Sequence, residues 1–174
     1  YVEDEGRRLG IQVDMNNGTG WPFGGPTTPI EEAACKALVI DTIVTKADYD
    51  KGIDFAVPAK EKKYAKLDFV QCYPTNEKDK VRVIALYISR TRQQVKRAAP
   101  GGQGYVIDHF DKDAVKHYLE KFDKAFSETN TPWPNTIFND SYEVYGADWT
   151  PTLPAEFEKR RGYSLKENIN KLES

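Results

Sequence analysis

Between residues 105 and 162 the apolar spacing switches between strand and helix periods, and that alternation restricts the fold more than any other feature of the chain. Tyr105, Val106 and Ile107 run into Asp108 and read as a strand over 105–108. Asp111 is an expected helix N-cap, and Val115, Tyr118, Leu119, Phe122 and Phe126 follow on one helical face. After the prolines of TPWPN a further strand is expected over 136–139, and then a helix over about 154–161 ending at Gly162. Near the N-terminus, Ile11, Val13 and Met15 alternate with Gln12 and Asp14, which predicts a strand over 10–15. It leads into NNGTGWPFGGP, a loop with four glycines and two prolines.

Strands followed by helices, each strand ending in polar groups, point to an α/β fold, a (β/α)8 (TIM-type) barrel in part. In such barrels the chemistry sits at the C-terminal ends of the strands. Between the strand at 10–15 and the one at 105–108 the pattern changes. Runs rich in β-branched and aromatic residues at 38–45, 53–58, 65–73 and 81–89, separated by charged turns, predict an antiparallel β module. The expected organisation is a first part of the barrel over 1–36, an inserted β-rich segment over 37–98 and a continuation over 99–174. A full barrel needs about 250 residues, so 174 residues with an insert would hold roughly half of one. The chain opens on EDEGRRLG, read as the end of a helix, and SLKE at 164–167 forms a capping box for a helix running nearly to Ser174. Both ends read as cuts in a longer protein.

Composition excludes several classes. A net charge of −2 argues against a nucleic-acid surface, and with no apolar run of about 18 residues no membrane span is expected. Cys35 and Cys72 lack a metal-like spacing and leave three states open: buried thiols, a disulfide or reactive groups. His109 and His117 are too few for a His-rich zinc site. The basic run 90–97 reads as a solvated face.

The stretch FNDSYEVYGADWTP carries the densest chemistry. Asp140 and Glu143 supply two carboxyls, and glycosidases commonly use a pair as acid and base. Tyr142, Tyr145 and Trp149 could offer flat apolar faces to sugar rings. The structural alternative is an N-cap at Asp140, a solvated Glu143 and aromatics in a core. At the other strand ends stand Asp14, Asn16, Asn17 and Trp21, and Asp108 with His109. The glycine-rich loop lacks the Lys of a phosphate loop, so Trp21 within it suits a neutral polar ligand better.

Three blocks, VDMNNGTGWPFGGP, APGGQGYVIDHFDKDAVKHYLEKF and FNDSYEVYGADWTPTLPAEFEKRRGYSL, together resemble the catalytic barrel of glycoside hydrolase family 106, the α-L-rhamnosidases. The resemblance implies an inverting hydrolase of terminal α-L-rhamnosides in plant or bacterial glycans, often with Ca2+, exported to the periplasm or cell surface. It assigns Glu143 as general acid and leaves the general base outside this chain. The other site residues are substrate contacts expected from position: Asp14, Asn16, Asn17, Trp21, Asp108, His109, Asp140, Tyr142 and Trp149. The partners implied are a rhamnose-containing oligosaccharide or polysaccharide and the rest of the parent chain. A barrel glycosidase of other sugar specificity, and a non-catalytic carbohydrate-binding domain, are the competing readings.

Overall fold

Val2–Leu9 forms α1, which ends at Gly10 in the left-handed region, φ 70°, where the Gly10 N–H donates to the Arg7 carbonyl and the Ile11 N–H to that of Gly6. The computed structural model describes residues 1–172. Along them follow β1 (Asp14–Asn16), β2 (Gly24–Gly25), β3 (Cys35–Thr45), α2 (Lys46–Lys51), β4 (Lys66–Pro74) and β5 (Lys80–Arg90). The chain continues with β6 (Tyr105–Val106), α3 (Lys112–Glu128), β7 (Thr136–Phe138) and α4 (Leu153–Arg161). Two compact units result, one of Tyr1–Ala34 with Thr91–Ala147, the other of Cys35–Arg90 with the chain from Asp148 onward. No described helix is long and apolar enough to cross a membrane.

The first unit is a mixture of short elements. β1 and β7 pair in parallel, Asp14 opposite Thr136 and Asn16 opposite Phe138. Only 14–16 of the expected 10–15 strand is laddered, because residues up to Gly10 serve the helix cap and Ile11 N–H bonds back to Gly6. β6 does not join that pair. It runs antiparallel to β2, with Gly24 opposite Val106. A side chain at Gly24 would place Cβ 2.1 Å from the Tyr105 carbonyl oxygen, so the contact requires glycine. α3 begins as its sequence predicts: Asp111 accepts from the N–H groups of Asp113 and Ala114. On its inner face Tyr118 is buried, and its hydroxyl lies 2.7 Å from the Asn17 carbonyl and 2.9 Å from that of Gly24. One hydroxyl proton shared by two loop carbonyls ties the glycine-rich loop to the helix. Ala34, Val95 and Val106 form a small core, with Ala98, Val144 and Ala147 against it.

The second unit is built on an antiparallel sheet in the order β3-β5-β4. β5, VRVIALYI at its centre, is apolar on both faces and is covered on both, as a central strand requires. β4 carries a bulge between Leu67 and Phe69. The extra residue turns Phe69 onto the core face, where it meets Cys35, Ile84, Leu86, Trp149, Leu165 and Ile169. The residues from Asp148 on, expected to continue a barrel, here cover this sheet: Asp148 accepts the Ala37 N–H at 2.8 Å, and the Tyr73 hydroxyl donates to the Glu167 carbonyl. Both cysteines are free thiols, Cys35 buried and Cys72 exposed.

Two expectations need correcting. The segment 53–58 is not a strand, despite its alternation. It runs as irregular chain into a turn at Pro58, from which Glu61, 1% exposed, reaches the sheet. There its carboxylate takes an ion pair from Lys36 at 2.8 Å and a hydrogen bond from the Ser89 hydroxyl at 2.9 Å. A buried carboxylate has to be paired, and the turn is what brings it to its partners. The capping box at Ser164 forms, with the Glu167 N–H donating to Ser164 Oγ, yet only a 3-10 turn, Ile169–Lys171, follows. Leu165 and Ile169 both enter the core, and that packing holds the segment without a long helix; residues 173–174 lie outside the described part.

Removing Glu61 strands the Lys36 ammonium beside an apolar sheet. The Glu61→Ala variant is expected to lose about 3 kcal/mol of stability, measured by urea denaturation followed by circular dichroism. A loss within about 0.5 kcal/mol, as surface substitutions give, would show that the pair does not anchor this segment.

Candidate active site

Asp108 sits at the end of β6 because the buried Val106 and Ile107 carry the chain inward; it is 2% exposed. Its N–H donates to the Glu32 carbonyl at 2.8 Å, and its Oδ1 accepts the Phe110 N–H at 3.0 Å, which turns the chain sharply outward. His109 follows. Its ring stacks on Phe23 at 6.5 Å between centroids and meets Tyr142 edge-on at 5.0 Å. Both ring nitrogens are buried without a hydrogen-bond partner, and burial pushes the pKa below the ordinary imidazole value, the Ile107 carbonyl opposing in part. His109 is therefore a neutral imidazole with one donor and one acceptor to offer.

These residues line a cavity of about 410 Å3 together with Ala34, Phe110, Tyr142, Val144 and Ala147. Apolar walls with a few convergent polar groups are the usual make-up of a small-molecule site. Phe110 and Tyr142 are 64% and 72% exposed, so two aromatic faces stand open at a cavity whose depth is polar.

Glu143 lies between Tyr142 and Val144, both lining residues, and its own carboxylate is bonded to the Lys96 ammonium. Lys96 also donates to the Tyr145 hydroxyl at 3.2 Å and lies 4.7 Å from the centre of that ring. The hydrogen bond from Lys96, and then its charge, hold the Glu143 carboxyl below the usual carboxylate range; the Trp21 and Tyr145 side chains act weakly in the same sense. A general acid needs a pKa near working pH, and the aromatic walls at Tyr142 and Tyr145 do not provide it while a cation occupies the carboxylate. The run 90–97 is likewise not just a solvated face, since Lys96 and Gln93 both turn to Glu143 and its neighbours. Nothing local in the sequence signals this, because 47 and 50 residues separate the partners.

The remaining expected contacts disperse. Asp14 is exposed on β1 with only the Asn135 amide near it, at 3.5 Å. Asn16 accepts its own loop's Gly18 N–H. Asn17 is buried with its Oδ1 unpartnered, and Asp140 is exposed. Trp21 pairs through its backbone with Lys96 and carries the Arg97 guanidinium over its ring at 5.3 Å. None of these five lines the cavity. Trp149 is placed elsewhere altogether, 5% exposed in the core of the second unit; a ring so packed has no face for a sugar. Among the described residues no three His, Cys, Asp or Glu side chains gather as a metal site.

The chain matches glycoside hydrolase family 106, described as alpha-L-rhamnosidase, over residues 73–173. That is more than half of its length, and the chain belongs to this family. A Formosa agariphila protein named "Putative beta-glucuronidase" is 40% identical over 73 residues, which make up 39% of this chain and 6% of that protein. A solved structure, a rhamnosidase from Novosphingobium sp. PP1Y, shares 28% identity at a TM-score of 0.46 over 56% of this chain and 10% of its own. The chain thus spans only a small part of the relatives it matches.

Replacing Lys96 by Met removes the main cause of the low Glu143 pKa. A carboxyl titration followed by carbon NMR should then show Glu143 titrating at higher pH than in the wild type. The linkage has a definite sign. A carboxyl whose folded pKa lies below its unfolded value stabilises the fold above the unfolded pKa, and loses that contribution as pH falls through the folded pKa. The wild type should lose this contribution on acidification and Lys96→Met should have little of it to lose. An unchanged Glu143 titration in the variant would count against the pairing.

Proposed function

We propose that the protein is a glycosidase cleaving terminal α-L-rhamnosides with inversion, and that Glu143 is its general acid. The observation that carries the reading is the position of Glu143: it lies inside the family match and between two residues lining a cavity with Asp108 and His109 within it. Glu143 would give its proton to the glycosidic oxygen as that bond breaks. A water, deprotonated by a second carboxylate from outside this chain, would attack the anomeric carbon from the opposite face. Neutral His109 and Asp108 suit hydroxyl groups, and Tyr142 and Phe110 suit the apolar faces of the ring.

The acid role requires a proton on a carboxyl that Lys96 keeps ionised. In this reading the glycan, on entering, displaces Lys96 from Glu143, and desolvation then raises the carboxyl toward working pH. A partial TIM-type barrel completed by the rest of the parent protein belongs to the same reading, and the parallel pairing of β1 with β7 is the feature here that suits it. The source glycans would come from plants or bacteria, and export to the periplasm or cell surface belongs to the same reading through the family alone. So does calcium, for which the described residues assemble no set of acidic or imidazole ligands.

The name of the Formosa agariphila relative favours a second reading, a uronide in place of the rhamnoside. The two separate on 4-nitrophenyl α-L-rhamnoside and 4-nitrophenyl β-D-glucuronide offered to the full-length protein. Cleavage of the first alone supports the rhamnosidase; cleavage of the second alone transfers the assignment. On a rhamnosyl disaccharide, whose leaving group needs a proton, Glu143→Gln is expected to lower kcat at least about 100-fold. The nitrophenyl glycoside, with its good leaving group, should be far less affected.

A further inference from the structure

We propose that Gln93 is a positioning residue for Glu143, its side-chain amide clamping the backbone from the Glu143 carbonyl to the Tyr145 N–H, just C-terminal to the carboxylate-bearing residue. The inference deepens the general-acid reading and rests on it.

Gln93 uses both ends of its amide on one short segment. Its Nε2 donates to the Glu143 carbonyl at 2.6 Å, and its Oε1 accepts the Tyr145 N–H at 2.8 Å. Residues 139–144 have no regular structure and β7 ends at Phe138, so no ladder sets the backbone of Glu143. The amide does what a neighbouring strand would do, with one donor and one acceptor two residues apart.

Gln93 is itself fixed from the other side. Its carbonyl accepts the Val106 N–H at 2.9 Å, two residues before Asp108. Its N–H donates to Thr91 Oγ1 at 3.3 Å. Arg92, just before it, has φ 60°, a left-handed conformation that non-glycine residues rarely adopt. One residue thereby connects the strand bearing Asp108 and His109 to the segment bearing Glu143, and it sets the spacing between the cavity's polar depth and the acid. Since loss of about 1 Å in alignment can lower a rate on the order of 100-fold, the clamp bears on catalysis and not only on stability.

The test uses the full-length protein, with kcat measured on a rhamnosyl disaccharide and on 4-nitrophenyl α-L-rhamnoside for wild type, Glu143→Gln, Gln93→Ala and Gln93→Glu. A misplaced acid hurts the disaccharide and spares the activated glycoside, whereas general loosening of the fold hurts both. The expected result is a fall of about 10- to 100-fold on the disaccharide for Gln93→Ala, with less than about 3-fold on the nitrophenyl substrate. Gln93→Glu keeps the acceptor for Tyr145 but loses the donor to Glu143, and it should show the same split. It decides the matter where Gln93→Ala does not fold. If Glu143→Gln shows the split and folded Gln93 variants lose both activities equally, or neither, the positioning role is overturned and the acid reading stands. If neither Gln93 variant folds, the residue is structural and the proposal also fails. Absence of the split in Glu143→Gln, or of any cleavage by the wild type, overturns the acid reading and the Gln93 role with it.

Discussion

Residues 91–98 bond together pieces of the first unit that are far apart in sequence. Thr91 N–H reaches the Ala34 carbonyl, Val95 N–H that of Gly104 and Lys96 N–H that of Trp21, while the Gln93 carbonyl receives Val106 N–H. Backbone groups taken out of water need partners, and here a segment without regular strand structure provides them for the glycine-rich loop and β6. The side chains of the same segment then reach Glu143 and Tyr145.

What the sequence made legible was whatever a local period encodes. The face of α3, its Asp111 cap, the glycine stops at Gly10 and Gly162 and three long strands of the second unit are all local patterns, and the structure has them. Alternation at 53–57 looked equally good but had no partner strand, and the demand of Glu61 for Lys36 and Ser89 outweighed it. The site was legible only in part, for the same reason. Asp108, His109 and Tyr142 were found because they follow strands or cluster with aromatics. Lys96 and Gln93 were missed because a charge and an amide in a polar run have no signature until the chain is folded. Trp149 is claimed by a core that no local pattern announces, since its partners Cys35, Phe69, Ile84 and Leu86 lie far from it along the chain.

The electrostatics of Glu143 limit the mechanism more than its position does. An ion pair with Lys96 at a carboxylate 47% exposed is weak in energy, yet it holds the Glu143 carboxyl below the usual carboxylate range. A deeply buried pair would have been a worse arrangement for an acid, since breaking it would leave a stranded charge. The partial exposure of the pair is thus compatible with the general-acid role proposed for Glu143.

The cavity beside it imposes the complementary condition. His109 pays for its burial by staying neutral, and its stacking on Phe23 and edge contact with Tyr142 fix the plane of the ring without using either nitrogen. A neutral donor–acceptor pair held by aromatic contacts is suited to a hydroxyl group and poorly suited to an anion, which would need a charged partner inside the cavity.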